Sequence, residues 1–218
     1  MPPLAYKQGR QMIGLEVDLA QALGQELHRP VQLVELKWTE QIEALQAHKT
    51  DVIMSGMSLT GLRSARIAFS EPYLRIGQMA LARRSDVGRF FTRGTLVLFA
   101  GRVGVEKGTT GDLLVQQEFR RAQRKVYAAP RAALPDLLAG RLDLLIHDAP
   151  VIWWLAAEQE AQGLAAINIL LSSEYLAWGL RLEDEQLQRS INRILEDWKR
   201  SAQLQRMIKR WIPYALEI

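Results

Sequence analysis

Short apolar runs alternate with amphipathic helical stripes along almost the whole chain. One stripe covers residues 15–27, with Leu15, Leu19 and Leu23 on a single helical face. Residues 31–36 then alternate like a strand, and after Arg84 the pattern starts again. Strands that alternate with helices indicate α/β layers with mainly parallel sheets, so two such runs predict two lobes.

The same pattern predicts the order of the remaining elements, and their bounds are expectations from periodicity alone. They are helix 38–47, strand 52–54, strand 78–81, strand 102–105, a helix from 108–112 to about 121, strand 125–128, helix 132–139, strand 142–146, helix 150–158, an apolar segment 167–171, and helices 183–199 and 202–211.

Composition excludes several classes of function. The chain has no cysteine, so it has no disulfide or thiol chemistry, and its three histidines are isolated, without metal-ligand spacing. The net charge of +4 is spread along 218 residues, which does not indicate nucleic-acid binding. No apolar run approaches the ~20 residues of a membrane span. The sequence opens directly with Met1-Pro2-Pro3-Leu4, so we expect no signal peptide in it.

Residues 58–63 follow an apolar strand with small and hydroxyl residues and then an arginine. Backbone N–H groups at the start of a helical turn bind anions, and the guanidinium of Arg63 can bind a carboxylate through two parallel hydrogen bonds. The segment is therefore a candidate carboxylate site. A surface loop in which the arginine only ends a short helix is the alternative.

Two features of the second run complement this site. Thr109 or Thr110 can cap the helix that follows the glycine turn, and the N–H groups there form another anion site; an ordinary capped helix is the alternative. Asp148 ends an apolar strand, where open α/β sheets bind ligands, although it could simply cap the next helix. Arg63 suits a carboxylate and Asp148 an ammonium, and an α-amino acid carries both groups.

With these residues in place, the chain resembles the extracytoplasmic amino-acid-binding proteins of ABC transport systems (bacterial solute-binding family 3), most of all the glutamine- and histidine-binding members. The similarity covers nearly the whole chain, and its ordered set of motifs is specific. The motifs are residues 3–9, 14–19, Trp38 with Ile42, Ala44 and Leu45, 51–54, 58–63, 69–73, 103–110, 140–143 and 147–148.

The resemblance implies a two-lobed periplasmic-binding-protein-like fold (type II), in which each lobe is a mainly parallel sheet flanked by helices and two hinge strands join the lobes. Lobe 1 is expected at residues 1–82 plus 180–218, and lobe 2 at 83–179. Site residues carried over from the family are Arg63, Ser58 and Gly56 for the carboxylate, Thr110 as its second-lobe donor, Asp148 for the ammonium, Trp38 as an aromatic wall, and Glu106 and His147 for the ligand side chain.

One departure concerns the first strand of lobe 1. Family members begin with a Leu-Arg-Val-Gly strand inside that sheet, and this chain starts after it, so we expect the strand to be absent or supplied by another segment. Without it the neighbouring strands would keep unpaired backbone groups. The protein is expected to be a monomer unless a partner strand completes the lobe.

The resemblance implies non-catalytic binding of an amino acid with hinge closure, for an ABC permease or as the sensor of a fused membrane receptor, in a periplasmic or extracytoplasmic location. No cofactor, metal or nucleic acid is expected. Two alternatives stay open: an enzyme resembling the cyclohexadienyl dehydratases, with Glu106 or Glu174 as its acid, and a scaffold that has lost its ligand.

Overall fold

A computed structural model of the protein describes residues 1–215. The chain forms two compact units: unit 1 contains Met1–Arg75 and the chain from Glu174 onward, and unit 2 is Ile76–Ser173. The chain passes from unit 1 to unit 2 after Arg75 and returns to unit 1 at Glu174, and both positions lie before the boundaries expected at residues 82 and 180. The reason is that residues 78–83 belong to the sheet of unit 2, whereas residues 174–180 pair inside unit 1. The predicted end of lobe 1, residues 216–218, lies outside the described residues.

The strands are short in unit 1 and longer in unit 2. In chain order they are β1 (Tyr6–Gln8), β2 (Gln11–Ile13), β3 (Ala68–Phe69), β4 (Leu74–Ile76), β5 (Gln78–Arg83), β6 (Arg102–Glu106), β7 (Gln123–Tyr127), β8 (Leu144–Asp148), β9 (Leu164–Ile167), β10 (Glu174–Leu176) and β11 (Gly179–Leu180).

Most of the helices follow the predicted stripes. The helices are α1 (Leu15–Glu26), α2 (Gln41–Gln46), α3 (Gly61–Ser64), α4 (Arg84–Val87), α5 (Arg93–Val97), α6 (Thr110–Glu118), α7 (Leu134–Leu138), α8 (Ala149–Glu158), α9 (Glu185–Arg200) and α10 (Gln203–Trp211), with 3₁₀ turns at Trp38–Glu40, Pro130–Ala133 and Glu160–Gln162. Of these, α4 and α5 were not predicted.

Unit 2 is built on one five-stranded sheet with the order β7-β6-β8-β5-β9. The strands β7, β6 and β8 run parallel, and β5 runs antiparallel to both β8 and β9. Every residue of β8 is buried, as expected for a strand covered on both faces. The parallel strands β6 and β8 end at the same edge of the sheet, which places Glu106, His147 and Asp148 together there.

Unit 1 contains only short strand pairs among its described residues. The pairs β1–β2 and β3–β11 are antiparallel, β4 pairs with β10, and Ile53 and Ser58 each form a single-residue bridge. Its core is made instead by side chains from several loops and helices. Those packed around this core are Leu45, Ile53, Met57, Ile67, Phe69 and Ala177, with Trp38 and Ile42 at its margin.

The prediction of a strand at residues 31–36 is wrong. No backbone hydrogen bond to another described residue involves these positions, and the side chains of Leu33 and Val34 are 42% and 47% exposed. A strand needs a neighbour that satisfies its N–H and C=O groups, and no described strand pairs with residues 31–36. The predicted strand 52–54 is likewise reduced to the bridge at Ile53. The mainly parallel sheet expected in lobe 1 therefore does not form among the described residues.

Candidate functional site

Three of the predicted site residues in unit 1 lie in direct contact. The hydroxyl of Thr60 accepts the Arg63 N–H at 3.3 Å and caps α3, which fixes Arg63 in its last turn. The Arg63 Nη1 donates to the Ser58 carbonyl at 2.8 Å, and its guanidinium lies 5.1 Å from the centre of the Trp38 ring. A guanidinium held in this way has little rotational freedom left to lose when it binds a carboxylate.

The hydroxyl of Ser58 points to a residue that the carboxylate-site prediction did not include. Ser58 is buried, and its Oγ donates to the Glu174 Oε2 at 2.7 Å. A hydroxyl has one proton to donate, so Ser58 can donate to a ligand carboxylate only if it releases Glu174. Glu174 was predicted only as a candidate acid of the alternative enzyme, and the structure brings it to the Ser58 loop.

Gly56 serves the loop rather than offering its N–H to a ligand. Its φ of +75° favours glycine, and a Cβ there would lie 2.4 Å from a Leu4 methyl carbon. Its N–H donates to the Glu16 Oε1 at 2.6 Å. Of the groups carried over from the family, the Gly56 N–H is therefore already used inside unit 1.

Glu16 is a fully buried carboxyl group that the sequence prediction missed. Besides the Gly56 N–H, it accepts from the Tyr73 hydroxyl and, at 3.1 Å, from the Trp178 indole N–H. Burial raises the pKa of Glu16, and the three hydrogen bonds only partly oppose that rise. The available signal was an acidic residue within the apolar stripe of α1, one position from Leu15.

In unit 2, the start of α6 separates the two threonines by role. The Thr109 Oγ1 accepts the Asp112 N–H at 3.1 Å and caps the helix. The Thr110 Oγ1 does not cap it but accepts from the Gln78 side-chain amide at 3.1 Å. The hydroxyl proton of Thr110 is thus not committed to the helix.

Asp148 occupies the N-cap position of α8, yet its side chain makes no capping hydrogen bond. Its Oδ1 instead accepts from the Gln78 amide at 2.6 Å, with the carboxylate buried at the edge of the sheet. The simple capping role that the sequence left open is therefore not the one observed.

His147 and Glu106 form a buried pair beside Asp148. The His147 Nε2 lies 2.9 Å from the Glu106 Oε2, and the Asp148 N–H donates to the Nδ1 at 2.8 Å. Burial lowers the pKa of His147, but the hydrogen bond to Glu106 and the charges of Asp148 and Glu106 outweigh it, and the net pKa is raised. The pair presents carboxylate and imidazole to the same edge of the sheet as Asp148.

Residues 1–215 contain neither a metal-ligand cluster nor a helix suited to crossing a membrane. These residues contain no group of three His, Asp or Glu side chains that could hold a metal ion. None of their helices is both long and apolar enough to cross a membrane.

Comparison with known proteins identifies the family. A model of the bacterial extracellular solute-binding proteins, family 3, matches residues 1–214. The chain belongs to this family. Its members are binding proteins for solutes outside the cytoplasm, and the two α/β units of this solute-binding protein agree with the two-lobed structures of its relatives.

Three relatives show the breadth of the similarity. The "ABC transporter arginine-binding protein 1" of Escherichia coli is 26% identical over 208 residues, which cover 93% of this chain and 83% of that protein. A mutant of ArgBP from T. maritima is 30% identical, with a TM-score of 0.87 and coverage of 97% and 91%. The ancestral amino-acid-binding protein AncCDT-1, described as a precursor of cyclohexadienyl dehydratase, is 27% identical, with a TM-score of 0.87 and coverage of 97% and 90%.

Proposed function

We propose that this solute-binding protein binds an α-amino acid without transforming it and presents it to an ABC permease. The observation that carries the proposal is the opposite chemistry of two preorganised residue sets. Arg63, held on Trp38 and on the Ser58 carbonyl, supplies a cation, and Asp148, held by Gln78, supplies an anion. One amino acid satisfies both when its carboxylate engages Arg63 and Thr110 and its ammonium engages Asp148.

The side chain of the ligand is proposed to meet Glu106 and His147. The Glu106 carboxylate suits a cationic or amide-bearing side chain, because its oxygens accept hydrogen bonds from N–H groups, and His147 bonds to this carboxylate and fixes its position. The E. coli relative is named for arginine. Arginine, lysine, histidine and glutamine are therefore the first ligands to test.

A thermal-shift screen of the twenty amino acids tests the proposal. A ligand that binds only the folded state stabilises it by about 2.7 kcal/mol at a concentration 100 times its Kd, which raises Tm by several degrees. We expect one or a few amino acids to do so. No shift with any of the twenty would overturn the proposal and favour a scaffold without a ligand.

The Arg63→Ala variant assigns the response to the site. It should abolish the ligand-induced shift, because the carboxylate loses its charged partner. Arg66→Ala is the matched control, since Arg66 lies two residues beyond α3, is exposed, and directs its guanidinium to the side chain of Gln46. A shift retained in Arg63→Ala, or lost equally in both variants, would remove Arg63 from the site.

A dehydratase activity is the second candidate, and its support is the similarity to AncCDT-1. Such an enzyme needs a carboxylic acid that donates a proton to a leaving hydroxyl. Glu106 instead forms a hydrogen bond with an imidazole whose pKa is raised, and Glu174 accepts a hydrogen bond from the Ser58 hydroxyl. Conversion of prephenate to phenylpyruvate that is lost in Glu106→Gln would establish the enzyme; absence of turnover agrees with binding alone.

A further inference from the structure

Gln78 occupies a position that joins two of the proposed site residues. It is the first residue of β5 and is completely buried. The antiparallel register of β5 and β8 puts Gln78 directly opposite Asp148. Opposed residues in a ladder have neighbouring side chains, so the sheet register fixes this contact.

Both protons of the Gln78 amide are used. The Nε2 donates to the Asp148 Oδ1 at 2.6 Å and to the Thr110 Oγ1 at 3.1 Å. Exchanging the amide oxygen and nitrogen would place a carbonyl oxygen at the same short distance from a carboxylate oxygen, which is repulsive. The charge of Asp148 therefore sets the direction of the amide.

The amide oxygen shows how closely this arrangement is packed. The Gln78 Oε1 is buried without a hydrogen-bond partner, and a Cβ on Gly111 would lie only 2.6 Å from it. A buried oxygen without a hydrogen-bond donor destabilises the folded state, whereas both N–H groups of the same amide are hydrogen-bonded. The position is therefore suited to donation toward Asp148 and Thr110 and not to packing alone.

We propose that Gln78 is a positioning residue of the amino-acid site, an inference that rests on the proposed function. As Thr110 accepts from Gln78, its own hydroxyl proton is directed to another acceptor, the ligand carboxylate. As the amide is neutral, it orients Asp148 without neutralising the charge of its carboxylate. A lysine at the same place would pair with Asp148 and compete with the ligand.

The Gln78→Glu variant tests the inference through the pH dependence of binding. Glutamate has the same shape but places a second carboxylate against Asp148, and two carboxylates that share a site raise the pKa of one of them. At pH 7.5 we expect the Kd of the best amino acid from the screen to rise about 30-fold or more. At pH 5 the added proton restores a donor to Asp148, and most of the affinity should return.

Gln116→Glu is the matched control. The Gln116 amide also donates to a carboxylate, that of Asp112 at 3.2 Å, but Gln116 is exposed on α6. The Kd of the Gln116→Glu variant for the same amino acid should stay within about twofold of the wild-type value at both pH values. Calorimetric titration measures all three proteins, and circular dichroism confirms that each is folded.

The outcomes separate the two proposals. A Kd of Gln78→Glu within twofold of Gln116→Glu at pH 7.5, or a loss that pH 5 does not reverse, would overturn the positioning role. If Gln78→Glu does not fold, the Kd of Gln78→Met is measured instead. We expect about tenfold weaker binding by Gln78→Met, and unchanged binding would contradict the inference. A wild-type protein that binds none of the amino acids would refute the proposed function first, and this inference with it.

Discussion

Unit 2 holds its strands in one continuous sheet, whereas unit 1 holds its strands in separate short pairs. In unit 2 the central strands β6, β8 and β5 each have two neighbours. In unit 1 no described strand pairs with more than one other strand, apart from the single-residue bridges of Ile53 and Ser58 to β11 and β10, and the alternating segment 31–36 pairs with none. Both units came from the same sequence pattern of apolar runs and helical stripes.

The difference shows that an alternating pattern makes a strand only when a neighbour is present. Residues 102–105 pair with β7 and β8, and residues 142–146 lie in or next to β8, which pairs with β6 and β5. Residues 31–36 have equal alternation but leave Leu33 and Val34 exposed. Unit 1 instead relies on buried polar contacts, of which the three donors around Glu16 are the clearest.

The largest expected effect is in the sheet of unit 2. Ile146, at the centre of β8, is completely buried, and Ile146→Ala should lower the free energy of unfolding by about 4 kcal/mol because it opens a cavity. Val126→Ala is the control on the edge strand β7, where the side chain is 44% exposed. Its expected cost is below about 1 kcal/mol. Denaturant unfolding followed by circular dichroism gives both values, and equal costs would contradict a continuous buried sheet.

The next effect concerns the buried carboxyl of unit 1. Because burial raises the pKa of Glu16 in the folded state above its ordinary value of 4.5, the folded state holds the proton more tightly than the unfolded state. The contribution of the protonated Glu16 to the stability of the folded state is fully present below pH 4.5 and is lost as pH rises through the folded-state pKa of Glu16. Between these two pKa values the free energy of unfolding should fall by about 1.4 kcal/mol for each pH unit.

Glu16→Gln cannot titrate and should flatten this part of the pH profile. Denaturant unfolding at several pH values measures it, with Glu26→Gln, at the exposed end of the same helix, as the control. A profile with the same slope in the wild type and in Glu16→Gln would show that Glu16 does not carry the dependence.

The smallest effect is expected in the segment without strand partners. Leu33→Thr should change the free energy of unfolding by no more than about 0.5 kcal/mol, because the side chain is already 42% exposed. The same denaturant experiment applies. A loss above about 2 kcal/mol would mean that residues 31–36 are buried in solution, and the contrast between the units would then be smaller than the structure indicates.

Local features of the sequence predicted the longer helices and the strands β5 to β8, but not the short strands β1 to β4 and β9 to β11. The stripe at 15–27 became α1, and the strands and helices that were predicted in the second run formed within a few residues of their predicted ends, whereas α4, α5 and β9 were not predicted. The family resemblance was confirmed as well. Strand pairing could not be predicted where it depends on distant residues, which is why residues 31–36 were wrongly assigned.

In the candidate site too, the residues recognised from local sequence differ from those whose contacts depend on distant parts of the chain. Arg63, Ser58 and Trp38 were chosen from the sequence, and the structure brings them into contact. Gln78 and Glu16 were missed because their partners lie far away in the chain. Gln78 reads as an ordinary strand residue, and its role depends on a register with Asp148 that no local pattern contains.

The central claim is that one ligand presents a carboxylate to Arg63 and an ammonium to Asp148. Calorimetric titration tests it most directly, with three compounds: L-arginine, agmatine, which lacks the carboxylate, and 5-guanidinopentanoate, which lacks the amine. If another amino acid gives the largest thermal shift, the equivalent compounds of that amino acid are used. We predict that removing either group weakens binding at least ~100-fold, since each removal takes away one of the two charged groups through which the ligand binds. Binding of agmatine or 5-guanidinopentanoate as tight as that of arginine would contradict the account.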